Sequence, residues 1–242
     1  MAPKGPLPPL SPRRAGFELP DLSEARLPIV AQGSTWVLVS KPSGLLSVPA
    51  KDPQYKDCAL TRVQSWYPQA TGGMVVHRLD LPTSGLLLFA LTPESLAHLN
   101  RQFAKRTVSK SYTAILEKIP LVNEGDIRLP LRLDPFQRPL QVVDPLHGKP
   151  CHTRWRILDT HCILGCKVEL IPLTGRTHQL RVHSAHALGL NSPILGDPHY
   201  SANAQANGSS PQGLRLHLHA SALSFDDPET GERLHFIDDA PF

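Results

Sequence analysis

The residue pattern predicts an α+β fold built on a mixed, mostly antiparallel sheet. Strand-like segments outnumber helical ones, and the two kinds do not alternate regularly, which argues against a doubly wound parallel sheet. The apolar run Leu86 to Leu91 is bounded by turn residues and reads as a strand covered on both faces. The chain carries neither a GxGxxG fingerprint nor a P-loop, and no internal repeat.

In chain order, residues 1–28 are rich in proline (Pro3, Pro6, Pro8, Pro9, Pro12) with Arg13 and Arg14, and they read as a flexible basic tail. The folded domain is expected over 29–242. Trp36 to Val39 reads as a strand and Lys41-Pro42-Ser43-Gly44 as a turn. Ala59 to Trp66 reads as a short helix with Leu60 and Val63 on one face. Thr92-Pro93-Glu94 is a helix start, with Thr as N-cap, Pro at the first position and an acid in the first turn. Leu96, Leu99 and Phe103 give that helix its apolar stripe, opposite Asn100, Arg101 and Lys105. Ser111 to Leu116 and Cys166 to Leu173 read as strands, with short extended pieces between 120 and 155. Thr177 is placed to cap a helix running to about Leu188. Leu214, Leu216 and Leu218, alternating with Arg215, His217 and His219, predict a half-buried strand. Phe225 to Phe236 predicts a hairpin through Glu229-Thr230-Gly231.

Composition narrows the class. The 242 residues are 40% hydrophobic, enough for one large core, and no apolar run nears the roughly 20 residues of a membrane span. Prolines interrupt any secretory h-region, so the expectation is an intracellular, cytoplasmic protein. Cys58, Cys151, Cys162 and Cys166 form no CxxC pair and no disulfide framework, so free thiols are expected. A net charge of +4 permits nucleic-acid binding. Arg101, Lys105, Arg106 and Lys110 concentrate that charge in one stretch. No coiled-coil signal is present, and a monomer is expected.

The most informative segment is His77-Arg78-Leu79-Asp80-Leu81-Pro82-Thr83-Ser84-Gly85, directly before the buried strand. An acid in an irregular loop held by a rigid strand is where catalytic groups tend to lie, although most loop aspartates are turn or cap residues. Arg78 has the chemistry to contact a phosphate or a base.

This segment resembles the signature of the RluA-type pseudouridine synthases, which act on ribosomal and transfer RNA. Further blocks of the same family follow its order: Lys41-Pro42-Ser43-Gly44-Leu45-Leu46-Ser47-Val48-Pro49, Lys110-Ser111-Tyr112-Thr113-Ala114, Leu173 to His183, Pro193 to Asp197, and Leu218-His219-Ala220. Tyr67 to Ala70, Arg138-Pro139 and Gly148-Lys149-Pro150 resemble the short subgroup that lacks an S4 domain and modifies both RNA classes. The resemblance implies the pseudouridine synthase fold, a bent sheet flanked by helices and loops around a central cleft. It implies isomerisation of specific uridines in structured RNA, with no cofactor and no metal.

The resemblance also assigns roles. Asp80 is the catalytic carboxylate, acting either as nucleophile on the ribose or as base toward a ribose proton. Arg176 is its ion partner, and Tyr112 lies against the uracil. Leu180 supplies an apolar wall, and Arg78 fills the space vacated by the flipped base. Lys105, Arg106 and Lys110 are a candidate phosphate track. Lys41 is expected to serve packing or phosphate contact rather than chemistry.

Two rivals bear weighing. Twelve histidines, with His178, His183 and His186 close in sequence, raise metal catalysis, but HExxH and a carboxylate partner at ligand spacing are missing. A catalytically silent RNA-binding module of the same fold is the other, and retention of Asp80, Tyr112 and Arg176 together argues against it.

Overall fold

The computed structural model describes residues 25–50, 52, 55–70, 73–201 and 214–242. Its strands are β1 (Ile29–Gln32), β2 (Trp36–Lys41), β3 (Ser84–Ala90), β4 (Ser109–Leu116), β5 (Glu124–Ile127), β6 (Leu131–Leu133), β7 (Gln141–Val143), β8 (Thr153–Asp159), β9 (Cys166–Pro172), β10 (Leu218–Asp226) and β11 (Arg233–Ile237). The helices are α1 (Ala59–Trp66), α2 (Pro93–Lys105) and α3 (Gln179–Ala185). One nine-stranded sheet runs in the order β1-β2-β3-β10-β4-β9-β8-β5, with β11 paired to β10; β6 and β7 form a separate hairpin. Every pairing is antiparallel except β3 with β10. The expected mixed, mostly antiparallel α+β architecture is thus the observed one.

All seven residues of β3 are buried, as its unbroken apolar run requires. Leu87 and Phe89 pack on one face with Val37, Val39 and α1 residues Ala59 and Val63. Leu86, Leu88 and Ala90 pack on the other face with Trp36, Leu38, Leu99 of α2 and Phe225. This two-residue alternation is the strand period expressed on two cores at once. The cap of α2 is the expected one, with Thr92 accepting from the Ser95 amide. A further core lies in the other half of the sheet, formed by Ala114, Leu116, Trp155, Val168, Leu170, Leu180 and Leu218. Tyr112 packs against both this core and the one on the first face of β3, so it marks the seam between the halves.

Three expectations change. The helix sought from Thr177 to Leu188 is shorter: α3 starts after His178, which sits at φ 54° without a side-chain cap bond. It stops early because the returning chain satisfies its last carbonyls, Leu190 N–H donating to His183 O at 3.1 Å and Gly189 N–H to His186 O at 2.8 Å. The strand expected from Leu214 begins only at Leu218, since the His217 amide bonds Leu195 O outside the ladder. His217 and His219 are both buried, so this segment is covered on both faces rather than half-buried. Finally, ordered packing begins before residue 29. Leu27 belongs to the core, and Pro28 O accepts from Ser40 N–H; the rest of the expected tail, residues 1–24, lies outside the described residues. Among the described residues no helix is long and apolar enough to cross a membrane.

Gly85 lies where β3 meets β10 in the parallel pair, at φ +105°, and an added Cβ would fall 2.4 Å from Ala220 O. Both the positive φ and the backbone contact demand glycine. Gly85→Ala is expected to destabilise the fold by at least about 2 kcal/mol, read as a lower urea midpoint at unchanged m-value.

Candidate active site

The loop carrying Asp80 is pinned from beneath by the segment after β2. Ser47 Oγ donates to Leu79 O at 2.7 Å and accepts from Leu79 N–H at 3.1 Å. Ser43 Oγ donates to Pro82 O at 2.7 Å, and Gly44 N–H donates to Leu81 O at 2.9 Å. Lys41, fully buried, sends its Nζ to the carbonyls of Leu45 (2.8 Å), Pro42 (3.0 Å) and Leu81 (3.2 Å). Burial pushes the Lys41 amine down to about 7, while the Asp80 charge works in the opposite sense. Of the two roles expected for Lys41, packing is the one realised. His77 closes the other side of the loop. Its ring stacks on Phe103 and its Nε2 accepts from Leu88 N–H at 3.0 Å, with burial holding it down near 3 and therefore neutral.

This scaffold presents Asp80 with 27% of its side chain exposed. The charge that faces it is Arg181, whose Nη1 lies 3.5 Å from Oδ2. Arg181 is 1% exposed and makes a bidentate pair with fully buried Asp197, Nε to Oδ2 at 2.8 Å and Nη2 to Oδ1 at 2.7 Å. Asp197 Oδ1 also accepts from the amides of His199 (2.8 Å) and Tyr200 (3.1 Å). Burial opposes both charges. The pair and these amides outweigh it, so Arg181 is raised and Asp197 held below the usual carboxylate range. Geometry of this kind fixes where the remaining guanidinium nitrogen points, and it points at Asp80.

The expected ion partner, Arg176, is not the one observed. Arg176 is exposed beside Gly175, its amide bonds Gln179 Oε1 at 3.1 Å, and its guanidinium lies by the Cys151 thiol. Both arginines stand in the same block, but only Arg181 falls within α3, whose residues from Gln179 to Ser184 are all buried. A signal for this was present: Arg181 is flanked by Leu180 and Val182, so a charge there needs a buried counter-charge, and Asp197 is the acid at hand. Sequence reasoning also missed His178, Asp197 and Tyr200 as neighbours of the carboxylate.

The other expected residues divide. Tyr112 is at the seam beside Asp80, and its phenol is pushed well above its usual range by burial first and by the Asp80 charge second, so it stays protonated. Leu180 is 7% exposed in the core of the far half-sheet. Arg78 is exposed. Lys105 and Arg106 are exposed at the end of α2, where Arg106 takes φ 60° as C-cap. Lys110 is half-buried, with Nζ 5.9 Å from the Phe103 ring centroid and beside Gly175. Two of the histidines that raised metal catalysis have protein partners: His178 bonds Tyr200 Oη at 2.8 Å, and His183 bonds Thr153 Oγ1 at 2.9 Å and Leu129 O at 3.0 Å.

Comparison with known proteins gives the same reading. Residues 35–186 match the family model described as RNA pseudouridylate synthase. The chain is 42% identical over 219 residues to the dual-specificity RNA pseudouridine synthase RluA of Escherichia coli (strain K12), covering 90% of this chain and 95% of that one. It is 43% identical over 210 residues to RluA of Pasteurella multocida, covering 87% and 91%. Among solved structures, human RNA pseudouridylate synthase domain containing 1 superposes with TM-score 0.71 at 27% identity, covering 90% of this chain and 84% of that one. Human RNA pseudouridylate synthase domain containing 4 gives TM-score 0.66 at 27% identity, with 88% of each chain covered. With a partly exposed carboxylate at the seam of this sheet and relatives matched along most of the length, the chain belongs to the RNA pseudouridylate synthase family.

Proposed function

We propose that this enzyme isomerises uridine to pseudouridine in stem-loops of ribosomal RNA, transfer RNA or both, in the cytoplasm and as a monomer, with Asp80 as the catalytic carboxylate. The observation that carries the assignment is the partly exposed Asp80 carboxylate, carried on a pinned loop and faced by the buried Arg181 guanidinium. The reaction breaks the uridine N1–C1′ bond, turns the uracil and joins C5 to C1′. The C5 proton leaves, N1 gains a proton, and no electrons are exchanged. Asp80 serves this either by attacking the ribose or by removing a ribose proton, and in both routes the carboxylate must be ionised and correctly aimed. Arg181 provides the aim, because its other nitrogens are already committed to Asp197. Tyr112, neutral at the seam, offers a ring face to the uracil. The target base must leave its stack to reach Asp80, at a cost of about a few kcal/mol that is lowest in a loop. Exposed Arg78 is suited to occupy the vacated space, and exposed Lys105 and Arg106 to meet phosphates.

Asp80→Asn is expected to abolish product on in vitro transcribed ribosomal and transfer RNA while leaving RNA affinity within a few fold. Pseudouridine mapping beside a filter-binding assay reads both, and full activity in this variant would sink the assignment. RNA binding by the wild type without any turnover would favour the silent binding module.

Arg181→Lys, which cannot span Asp197 and Asp80 together, should lower the single-turnover rate by about a hundredfold and cost about 3 kcal/mol of stability. Arg176→Ala should retain the rate within about threefold. The reverse ranking would return the ion-partner role to Arg176.

Replacing Lys105 and Arg106 together by alanine should weaken RNA binding and reduce the slope of log affinity against log salt by about 1.4. An unchanged slope would locate the phosphate contacts elsewhere.

A further inference from the structure

Beside Asp80 lies a buried pair that the chemistry above does not use. His178 Nε2 is 3.9 Å from Asp80 Oδ2, and His178 Nδ1 is 2.8 Å from Tyr200 Oη. Both side chains are at least nine-tenths buried, His178 at 9% exposure and Tyr200 at 8%. Tyr200 is itself fixed. Its backbone amide donates to Asp197, its ring lies 5.2 Å from the Arg181 guanidinium carbon, and its Oη accepts from the Gln141 amide of β7 at 2.8 Å.

Hydrogen-bond accounting sets the direction of the bond between the two side chains. A phenol has one proton to give, and the Gln141 amide already takes one of its acceptor positions. If His178 donated from Nδ1, the Tyr200 hydroxyl proton would be left without an acceptor in a buried site, which costs about 1–3 kcal/mol. The satisfied arrangement has Tyr200 donating to Nδ1. The imidazole proton then resides on Nε2, the nitrogen facing Asp80.

Resting on the assignment of Asp80 as the catalytic carboxylate, we propose that His178 and Tyr200 are positioning residues: Tyr200 holds His178 in its Nε2–H tautomer, and that N–H is a second donor aimed at Asp80 beside Arg181. Burial, followed by the neighbouring Arg181 charge, holds the imidazole down near 4, so it stays neutral at physiological pH. His178 adopts φ 54°, in the left-handed region that histidine enters more readily than most residues. Here that backbone turn brings the ring between Tyr200 and Asp80. Both donors stand off from the carboxylate, at 3.5 Å and 3.9 Å, longer than a formed hydrogen bond, so they act on Asp80 chiefly through charge and dipole.

Protein labelled with 15N-histidine reports the tautomer directly, with the His178 signal assigned by its loss in His178→Gln. The expected result at neutral pH is a proton on Nε2 in the wild type and a shift toward Nδ1–H in Tyr200→Phe. In single-turnover assays on in vitro transcribed ribosomal and transfer RNA, Tyr200→Phe should slow the reaction about tenfold with RNA affinity within twofold. His178→Gln, which keeps an N–H donor, should outperform His178→Met, and adding Tyr200→Phe to His178→Met should cost nothing more. A wild-type proton on Nδ1, or additive losses in the double variant, would overturn the proposal. So would full rates in Tyr200→Phe and His178→Met beside an inactive Asp80→Asn. Should the His178 variants fail to fold, Tyr200→Phe retains the ring over Arg181 and keeps both the tautomer and the rate readouts. Full activity in Asp80→Asn would instead overturn the catalytic assignment, and this proposal with it.

Discussion

The buried pair between Arg181 and Asp197 is the interaction on which the site depends. Two opposite charges sit almost wholly out of water, and neither could remain there alone without a penalty of several kcal/mol. The pair satisfies both, and two backbone amides complete Asp197. Because Arg181 comes from α3 and Asp197 from the loop that follows it, the pair also ties those two segments together. The one guanidinium nitrogen left over faces Asp80 from a position that cannot drift. A buried ion pair is weak evidence for stability as such, but here it supplies orientation.

Asp80 is held from the opposite side by different means. Its loop is bonded carbonyl by carbonyl to the Lys41–Ser47 segment, and it leads into β3, the most completely buried strand of the sheet. The β3 side thus contributes the carboxylate, and α3, packed on β7 and β9, contributes the guanidinium. Tyr112 touches both cores at the seam between them, beside Asp80. Rigid backing and a partly exposed carboxylate fit a reaction that requires exact placement of a ribose and exchanges no electrons.

Local elements were largely legible in the sequence because their signals are local. Thr92-Pro93 marked the start of α2, the apolar run marked β3, and Glu229-Thr230-Gly231 marked the last hairpin. The errors cluster where tertiary bonding replaces local rules. Thr177 looked like a cap, yet the turn before α3 is made by His178, whose ring is held by Tyr200. Arg176 and Arg181 could not be separated by spacing, since what distinguishes them is a counter-charge sixteen positions beyond Arg181.

The sequence by itself determined the α+β class and the family, and it singled out the Asp80 loop, because motif residues and hydrophobic periodicity are written in neighbouring positions. Only the tertiary structure decided which arginine faces Asp80, that Lys41 is a fully buried anchor, and that His178, Asp197 and Tyr200 back the site. The physical reason is that a charge or polar group is defined by what compensates its loss of water. In this protein the deciding groups lie beyond the reach of local patterns: Asp197 sixteen positions past Arg181, Tyr200 twenty-two past His178, and Leu81 forty past Lys41.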